Sequence, residues 1–396
     1  MKSSWSRVSI FYLFLVASIG TLLRAAGHVP LPLQYEHLVH AHSHVAFQGW
    51  VYTLMFLLLT HLYLDQGQIR AGRYPLQFWL TAVVILCVLV SFAMQGYGLF
   101  SICFSTLFQL LNYWFIYRFF KDTKHLVSLP LRLIRMGLWL GVLSTLMPIG
   151  IGILSAKGLN GSEAYQSLVY TFLHLQYNGW FLFVLLGLFF QLLEKNGVDY
   201  DQSQGEVFYK LFTAAVLPAI GLSLLGMSFS TYALAFSCLA ILLQLTAVMY
   251  FMRSIQGKLS TWLQQKNLWF RLCFLIFLVS FLLKTVLQSL SVIPLFEPYA
   301  FHNKWIILSY LHLSLIGVIS FFLIAFLIEL KWISNHPRSK TGLAMLMLGF
   351  VVTELLLVSG GLGAIYDQHI LISGSASMAV GVLLLAATTT PHQVSQ

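Results

Sequence analysis

The chain has 396 residues, of which 59% are hydrophobic and 9% are charged, and its mean hydropathy is +0.82. Soluble domains carry about 25% charged residues, so this composition excludes a soluble globular protein and predicts an all-α polytopic membrane protein. The formal net charge is +10, a balance that would also suit a nucleic-acid partner.

Twelve membrane spans are predicted, because a helix needs roughly 20 apolar residues to cross a bilayer. Together they leave no stretch for a soluble domain, so we expect one membrane domain over residues 1–396. In chain order the approximate span cores are 9–27, 42–64, 75–95, 97–117, 136–156, 165–192, 208–229, 231–252, 269–290, 303–328, 342–361 and 369–388.

The basic residues support this span count. With the N-terminus inside, 18 of the 22 Lys and Arg residues fall in inside loops, while Arg24, Lys157 and Lys304 fall outside and Lys284 lies within a span. This is the positive-inside bias of membrane proteins. We therefore interpret the charge as a topology signal, with both termini cytoplasmic, and expect a lipid bilayer and no nucleic acid as partner. The predicted location is the cell membrane, a bacterial inner membrane.

A short pattern with histidine and glycine occurs three times. The segments are "HVAFQGW" from His44, "HLQYNGW" from His174 and "HLSLIGV" from His312, with Gly49, Gly179 and Gly317 five residues after each histidine. They fall in predicted spans two, six and ten, which is one span in every four. The chain is therefore predicted to contain three pseudo-repeats of four helices, near 1–130, 131–262 and 263–396.

The three histidines are predicted to lie in the outer half of the bilayer, because each of these spans enters from the outer face. Ionisable side chains inside a membrane are costly and mark functional sites. Glycine five residues later lets a bulky group approach the helix. That group is either a flat macrocycle or a neighbouring helix.

Three groups of four spans, with histidines in the second, sixth and tenth, resemble the catalytic subunit of the heme-copper oxidase and nitric oxide reductase superfamily. The stretch "HAHSHVAFQGW" also resembles the start of the second helix in divergent members. The resemblance covers the whole chain in topology but only the three segments in residues. It implies that His44 and His312 are the two axial ligands of a low-spin, b-type heme. His174 matches a ligand of the family's copper or non-heme iron.

Two departures from the family pattern change the expected function. The predicted seventh span, "KLFTAAVLPAIGLSLLGMSF", has no histidine where the family has a pair. Tyr310 stands where the family has the ligand of its high-spin heme. We therefore expect a retained bis-histidine heme that serves electron transfer or gas and redox sensing, without complete oxygen reduction. An electron donor or partner subunits would act at the outer face.

Several residues have more than one interpretation. His42 lies about 200° round the helix from His44, so both cannot face one metal, and a hydrogen bond to a neighbour is the alternative for His42. His174 is either a metal ligand or a hydrogen-bonded interior histidine. Lys284 and Glu354 are predicted inside spans, where they either pair with each other or leave Glu354 as a proton carrier or cation ligand.

Two other functions remain open from the sequence. A proton-coupled transporter or metal permease would use His44, His174 and Glu354 as a relay or coordination path and would bind no macrocycle. A structural or assembly protein would use its histidines only to hold helices together.

Overall fold

The computed structural model describes residues 2–31, 33–228 and 230–389. It is 81% helical, and the described residues contain no strand, which confirms the predicted all-helical polytopic architecture. The C-terminal residues 390–396, for which the sequence predicts a cytoplasmic location, lie outside the described residues.

Eleven helices in the described residues are long and apolar enough to cross a membrane. With a shorter seventh helix they are numbered in chain order: α1 (Lys2–Ala25), α2 (Tyr35–Tyr63), α3 (Tyr74–Gln95), α4 (Leu99–Asp122), α5 (Leu129–Ala156), α6 (Glu163–Lys195), α7 (Gln202–Ala215), α8 (Ser230–Ile255), α9 (Leu268–Leu290), α10 (Lys304–Glu329), α11 (Pro337–Gly361) and α12 (Gln368–Ala387). Short helices span Gln66–Ala71, Ile220–Ser223, Lys258–Gln264 and Glu297–Phe301.

The seventh predicted span is not one continuous helix. Its start is capped by Asp201, where hydrogen bonds from Ser203 and Gln204 hold the pKa of the carboxyl below its usual value. Helix α7 ends at Ala215, and the chain then turns through Pro218. Proline has no N–H to donate and clashes with the preceding turn, so the helix is interrupted where the sequence predicts a continuous span over 208–229.

The chain forms two compact units. The first contains Met1–His125 and Leu323–Gln396, and the second contains Leu126–Phe322. Within the first unit α1 packs against α2 and α12, and α11 packs against α12. Within the second unit α5 packs against α6, α7 against α8, and α9 against α10.

Aromatic side chains fill the interior of both units. In the first unit Phe56 of α2 contacts the rings of Trp5 and Phe78. In the second unit the Phe189 ring of α6 lies 5.2 Å from that of Phe251. Stacked and edge-to-face ring pairs stabilise such interiors beyond simple area burial. In each unit, the second helix of a predicted repeat, α2 or α6, therefore contributes aromatic side chains to the hydrophobic core.

The three helices that carry the repeated histidines are the most buried in the described residues. In α2, α6 and α10, 72%, 89% and 78% of the most apolar stretch is buried, against 50% or less in the other eight spanning helices. Lipid covers the remaining apolar side chains of a membrane protein. The helices that carry the sequence repeat are thus also the buried helices, and both features recur once in every four helices.

Candidate functional site

Each histidine-bearing helix contains a π-helical segment of eight residues at its repeat histidine. The segments are Val45–Tyr52 in α2, His174–Phe181 in α6 and Leu313–Ser320 in α10. His44 and His312 are the last residues before their segments, and His174 is the first residue of its own. π-Helical turns are rare and occur frequently at functional sites. No sequence pattern indicated them beforehand.

His44 is half-buried in the first unit against an aromatic wall. Its ring stacks on Phe92 of α3, with ring centroids 4.1 Å apart and planes inclined by 17°. Nε2 lies 3.5 Å from the Tyr97 hydroxyl, and Nδ1 lies 3.5 Å from the Gln48 amide nitrogen. Both distances are at the long limit for a hydrogen bond. Within the described part of this unit, the imidazole therefore has no close polar partner at either nitrogen.

His42 faces a different neighbour from His44. Its Nδ1 donates a hydrogen bond to the backbone carbonyl of Val16 in α1, 3.1 Å away. The ring also lies against Gly20, where an added Cβ would come within 3.0 Å of His42 Cε1. His42 therefore holds α1 against α2 and cannot share a metal with His44, which follows from their 200° separation around the helix.

The glycines of the first two repeats admit a neighbouring helix. A Cβ at Gly49 would lie 2.8 Å from the Tyr12 ring of α1, and one at Gly179 would lie 3.2 Å from Cβ of Leu140 in α5. In both repeats the approaching helix is therefore the first of the same group of four. The Tyr12 ring occupies the space beside Gly49, which favours a neighbouring helix over a macrocycle as the group that approaches this glycine. Gly317 of the third repeat is buried.

His174 has protein partners at both ring nitrogens. Nε2 donates to the Val216 backbone carbonyl at 3.1 Å, and Nδ1 accepts from the Asn178 side-chain amide at 3.2 Å. A carbonyl can only accept, so these contacts fix the proton on Nε2. The ring is 1% exposed. In this arrangement neither nitrogen has a lone pair available for copper or iron.

The metal predicted near His174 also lacks a ligand set. Across residues 2–31, 33–228 and 230–389, no group of three or more His, Cys, Asp or Glu side chains is arranged to hold a metal ion. A two-ligand heme does not require such a group, because the porphyrin supplies four nitrogens and the protein supplies the axial positions. The lack of such a group among the described residues therefore argues against a second metal near His174 but does not bear on a heme held by two histidines.

His312 and Tyr310 lie in the N-terminal part of α10, in the second unit. His312 is half-buried and contacts neighbouring residues. Tyr310 donates a hydrogen bond from its hydroxyl to the Gln288 side-chain oxygen of α9, 3.3 Å away. Tyr310 thus ties α10 to α9.

The two charges predicted inside spans have separate surroundings. Lys284 of α9 is 4% exposed and donates to Gln288 one turn later, at 3.3 Å. Its Nζ also lies 5.9 Å from the Tyr310 ring centroid. Glu354 of α11, in the first unit, interacts electrostatically with Arg24 of α1.

Two groups at this site were missed in the sequence. The Val216 carbonyl that binds His174 is a backbone atom with no sequence signature, although Pro218 signals the helix break that exposes it. Gln244 of α8 is 8% exposed and lies in the cavity beside His174 and Lys284.

No protein-family model matches the chain, and no curated protein matches its sequence.

Proposed function

We propose that this chain is a heme-binding membrane protein related to the heme-copper oxidase and nitric oxide reductase catalytic subunits. His44 and His312 would hold the iron of this heme, which would be b-type. The observation that carries the proposal is the change from α to π geometry at each repeat histidine. The same change recurs in all three buried helices, which supports the interpretation that these helices are equivalent and serve one kind of site.

The surroundings of His44 fit an axial ligand. A metal-bound histidine usually donates its second ring N–H to a nearby acceptor, which fixes the ring orientation. Gln48 Oε1 is buried and has no hydrogen-bond partner among the described residues, and its amide lies beside Nδ1 of His44. Amide orientation is assigned from hydrogen bonding. With the amide turned over, Oε1 accepts the Nδ1 proton and Nε2 is left for iron.

The proposed activity is one-electron transfer or redox sensing. A heme held by two imidazoles supplies reversible electron transfer at an iron with no open coordination position. Tyr310, in the position of the high-spin ligand, is engaged with Gln288, and His174 is engaged at both nitrogens. We therefore propose no second metal and no oxygen reduction. The electron donor or partner subunits would approach from the outer face.

We also propose twelve membrane crossings in three groups of four, with the interrupted α7 region as the seventh. The positive-inside distribution of Lys and Arg supports this topology and the cytoplasmic location of both termini in a bacterial inner membrane. An interrupted helix inside a membrane is acceptable where its free backbone groups find protein partners. The bond from His174 to Val216 supplies one such partner.

Heme content tests the proposal. The protein would be purified in detergent from heme-supplemented cells and its heme quantified as the pyridine hemochrome. We expect heme in an amount equimolar with the chain and a reversible change in absorbance with dithionite. Heme-free protein from such cells would contradict the proposal.

A proton-coupled transporter is the second candidate, favoured by the electrostatic interaction between Glu354 and Arg24 in the first unit. Its test is proton uptake into proteoliposomes, which would be abolished by Glu354→Gln. Uptake in a heme-free preparation would favour transport over electron transfer.

A further inference from the structure

A polar cavity lies within the second unit. The cavity is small and partly open, with a volume of about 10 Å³ for the centre of a water-sized occupant, so it has room for a single small ion or water molecule. Its polar lining comes from α6, α8 and α9, and its apolar lining includes Phe212 and Phe281. The polar side chains are His174, Asn178, Gln244, Lys284, Thr285 and Gln288.

Lys284 brings to this cavity a buried amine that has no carboxylate partner among the described residues. Its ammonium group has three N–H donors, of which Gln288 Oε1 accepts one at 3.3 Å. No carboxylate among the described residues of this unit lies within ion-pair distance of Nζ. An isolated buried charge is strongly unfavourable, and removing one partner of a buried pair costs more than the pair contributes. A small anion in the cavity would supply the negative partner with which Lys284 keeps its proton.

The neighbouring amides have unused hydrogen-bonding capacity. Gln244 is 8% exposed, and its Oε1 has no partner among the described residues. Asn178 donates to His174 but leaves its own Oδ1 unpaired in the described structure. The oxygen and nitrogen of a side-chain amide are interchangeable within such a network. Gln244 can therefore turn its NH₂ group toward an anion beside Lys284.

The hydrogen-bond donors and the walls of the cavity determine which class of ligand it suits. His174 is not a donor to it, because its Nε2 proton is bonded to Val216. Its one charged donor is therefore the Lys284 ammonium, the other donors are neutral side-chain amides such as Gln244, and the walls include the aromatic rings of Phe212 and Phe281. This set suits a weakly hydrated single charge better than a phosphate or sulfate, which needs more donors. We propose that the cavity binds a small monovalent inorganic anion of the size of chloride, with Lys284 as its charge partner and Gln244 as its second donor.

The test is the dependence of thermal unfolding on chloride. The purified chain would be unfolded in sodium chloride and in sodium gluconate at equal ionic strength, since gluconate is too large for the site. A ligand that binds only the folded state raises its stability. We expect chloride to raise the unfolding midpoint of the wild type by roughly 2 °C or more. Bromide should substitute for chloride.

The variants identify the site. Lys284→Met should abolish the chloride response, and Gln244→Leu should reduce it. Lys266→Met is the matched control, because Lys266 belongs to the same unit but donates to Asn196 Oδ1 at 2.7 Å, and it should keep the full response.

Two results would overturn the proposal. One is a wild-type midpoint that is equal in chloride and gluconate, which would leave water as the occupant. The other is an undiminished chloride response in Lys284→Met. If Lys284→Met does not fold, Gln244→Leu decides: a reduced response supports the site and a full response contradicts it. Heme content does not enter either readout, so this test is independent of the proposed function.

Discussion

His174 donates a hydrogen bond from Nε2 to the backbone carbonyl of Val216, 3.1 Å away in the interrupted seventh region. In a continuous helix that carbonyl would accept from the N–H of Ile220, but this N–H bonds to Leu217 instead. The break ahead of Pro218 thus creates an acceptor inside the unit, and the repeat histidine of α6 satisfies it. The same contact makes His174 different from His44, whose ring nitrogens have only long contacts.

We predict that His174→Ala destabilises the protein without loss of heme. The substitution leaves the Val216 carbonyl and the Asn178 amide without their partner, and a buried unsatisfied polar group costs about 1–3 kcal/mol. Thermal unfolding and heme content of the purified variant are the measurements. His125→Ala, at an exposed position, is the control and should unfold like the wild type. Loss of heme from His174→Ala at unchanged stability would contradict this structural role.

The close approach at Gly49 gives a second prediction. In Gly49→Ala the new Cβ would meet the Tyr12 ring at 2.8 Å, so α1 has to shift, and overpacking of this kind costs about 1–3 kcal/mol. Gly152→Ala in α5 is the matched control, because a Cβ there has no described atom within 4 Å. The control should unfold at or slightly above the wild-type midpoint, since alanine favours helix more than glycine does. Equal midpoints for the two variants would show that Tyr12 does not restrict this position.

Gln48 should set the affinity of the proposed heme site. Gln48→Leu keeps the size of the side chain but removes the acceptor for the Nδ1 proton of His44. Loss of such a partner typically lowers metal affinity 10–100-fold, so the variant should lose heme faster to an apomyoglobin scavenger. Gln48→Glu keeps an acceptor and should retain heme. If Gln48→Leu releases heme at the wild-type rate, the glutamine does not orient the ligand.

Whether the interrupted seventh region crosses the membrane decides on which side of the membrane Gly257 lies. If the region crosses the membrane, the loop after α8 is cytoplasmic; if it does not, this loop is outside. In a variant whose four native cysteines are replaced by alanine, we expect Gly257→Cys to resist a membrane-impermeant maleimide in intact cells. Gly158→Cys, in the predicted outer loop after α5, is the control and should react. Labelling of both positions would contradict twelve crossings.

The sequence predicted the helices but not their local geometry. Apolar length predicted the eleven spanning helices of the described residues, and the repeat of His44, His174 and His312 marked the three of them that are most buried. The π segments carry no known residue pattern, so they could not be predicted. Pro218 in the predicted seventh span is a signal for a helix break, but the apolar length of that span favoured a continuous helix.

The partners of the site residues were harder to predict than the residues themselves. The sequence indicated a close approach at Gly49, but Tyr12 is 37 residues away and either a macrocycle or a helix fitted the pattern. The acceptor for His174 is a main-chain atom 42 residues away, which no side-chain pattern reveals. Long-range contacts of this kind depend on helix packing rather than on local composition.

The most direct test of the account is the reduced-minus-oxidised absorbance spectrum of the purified protein beside His44→Ala, His312→Ala and His174→Ala. The account predicts a low-spin bis-histidine heme spectrum in the wild type and in His174→Ala. It also predicts that the spectrum is lost or converted to a high-spin form in both other variants. A wild-type spectrum that survives in His44→Ala or His312→Ala would contradict the assignment of the axial ligands.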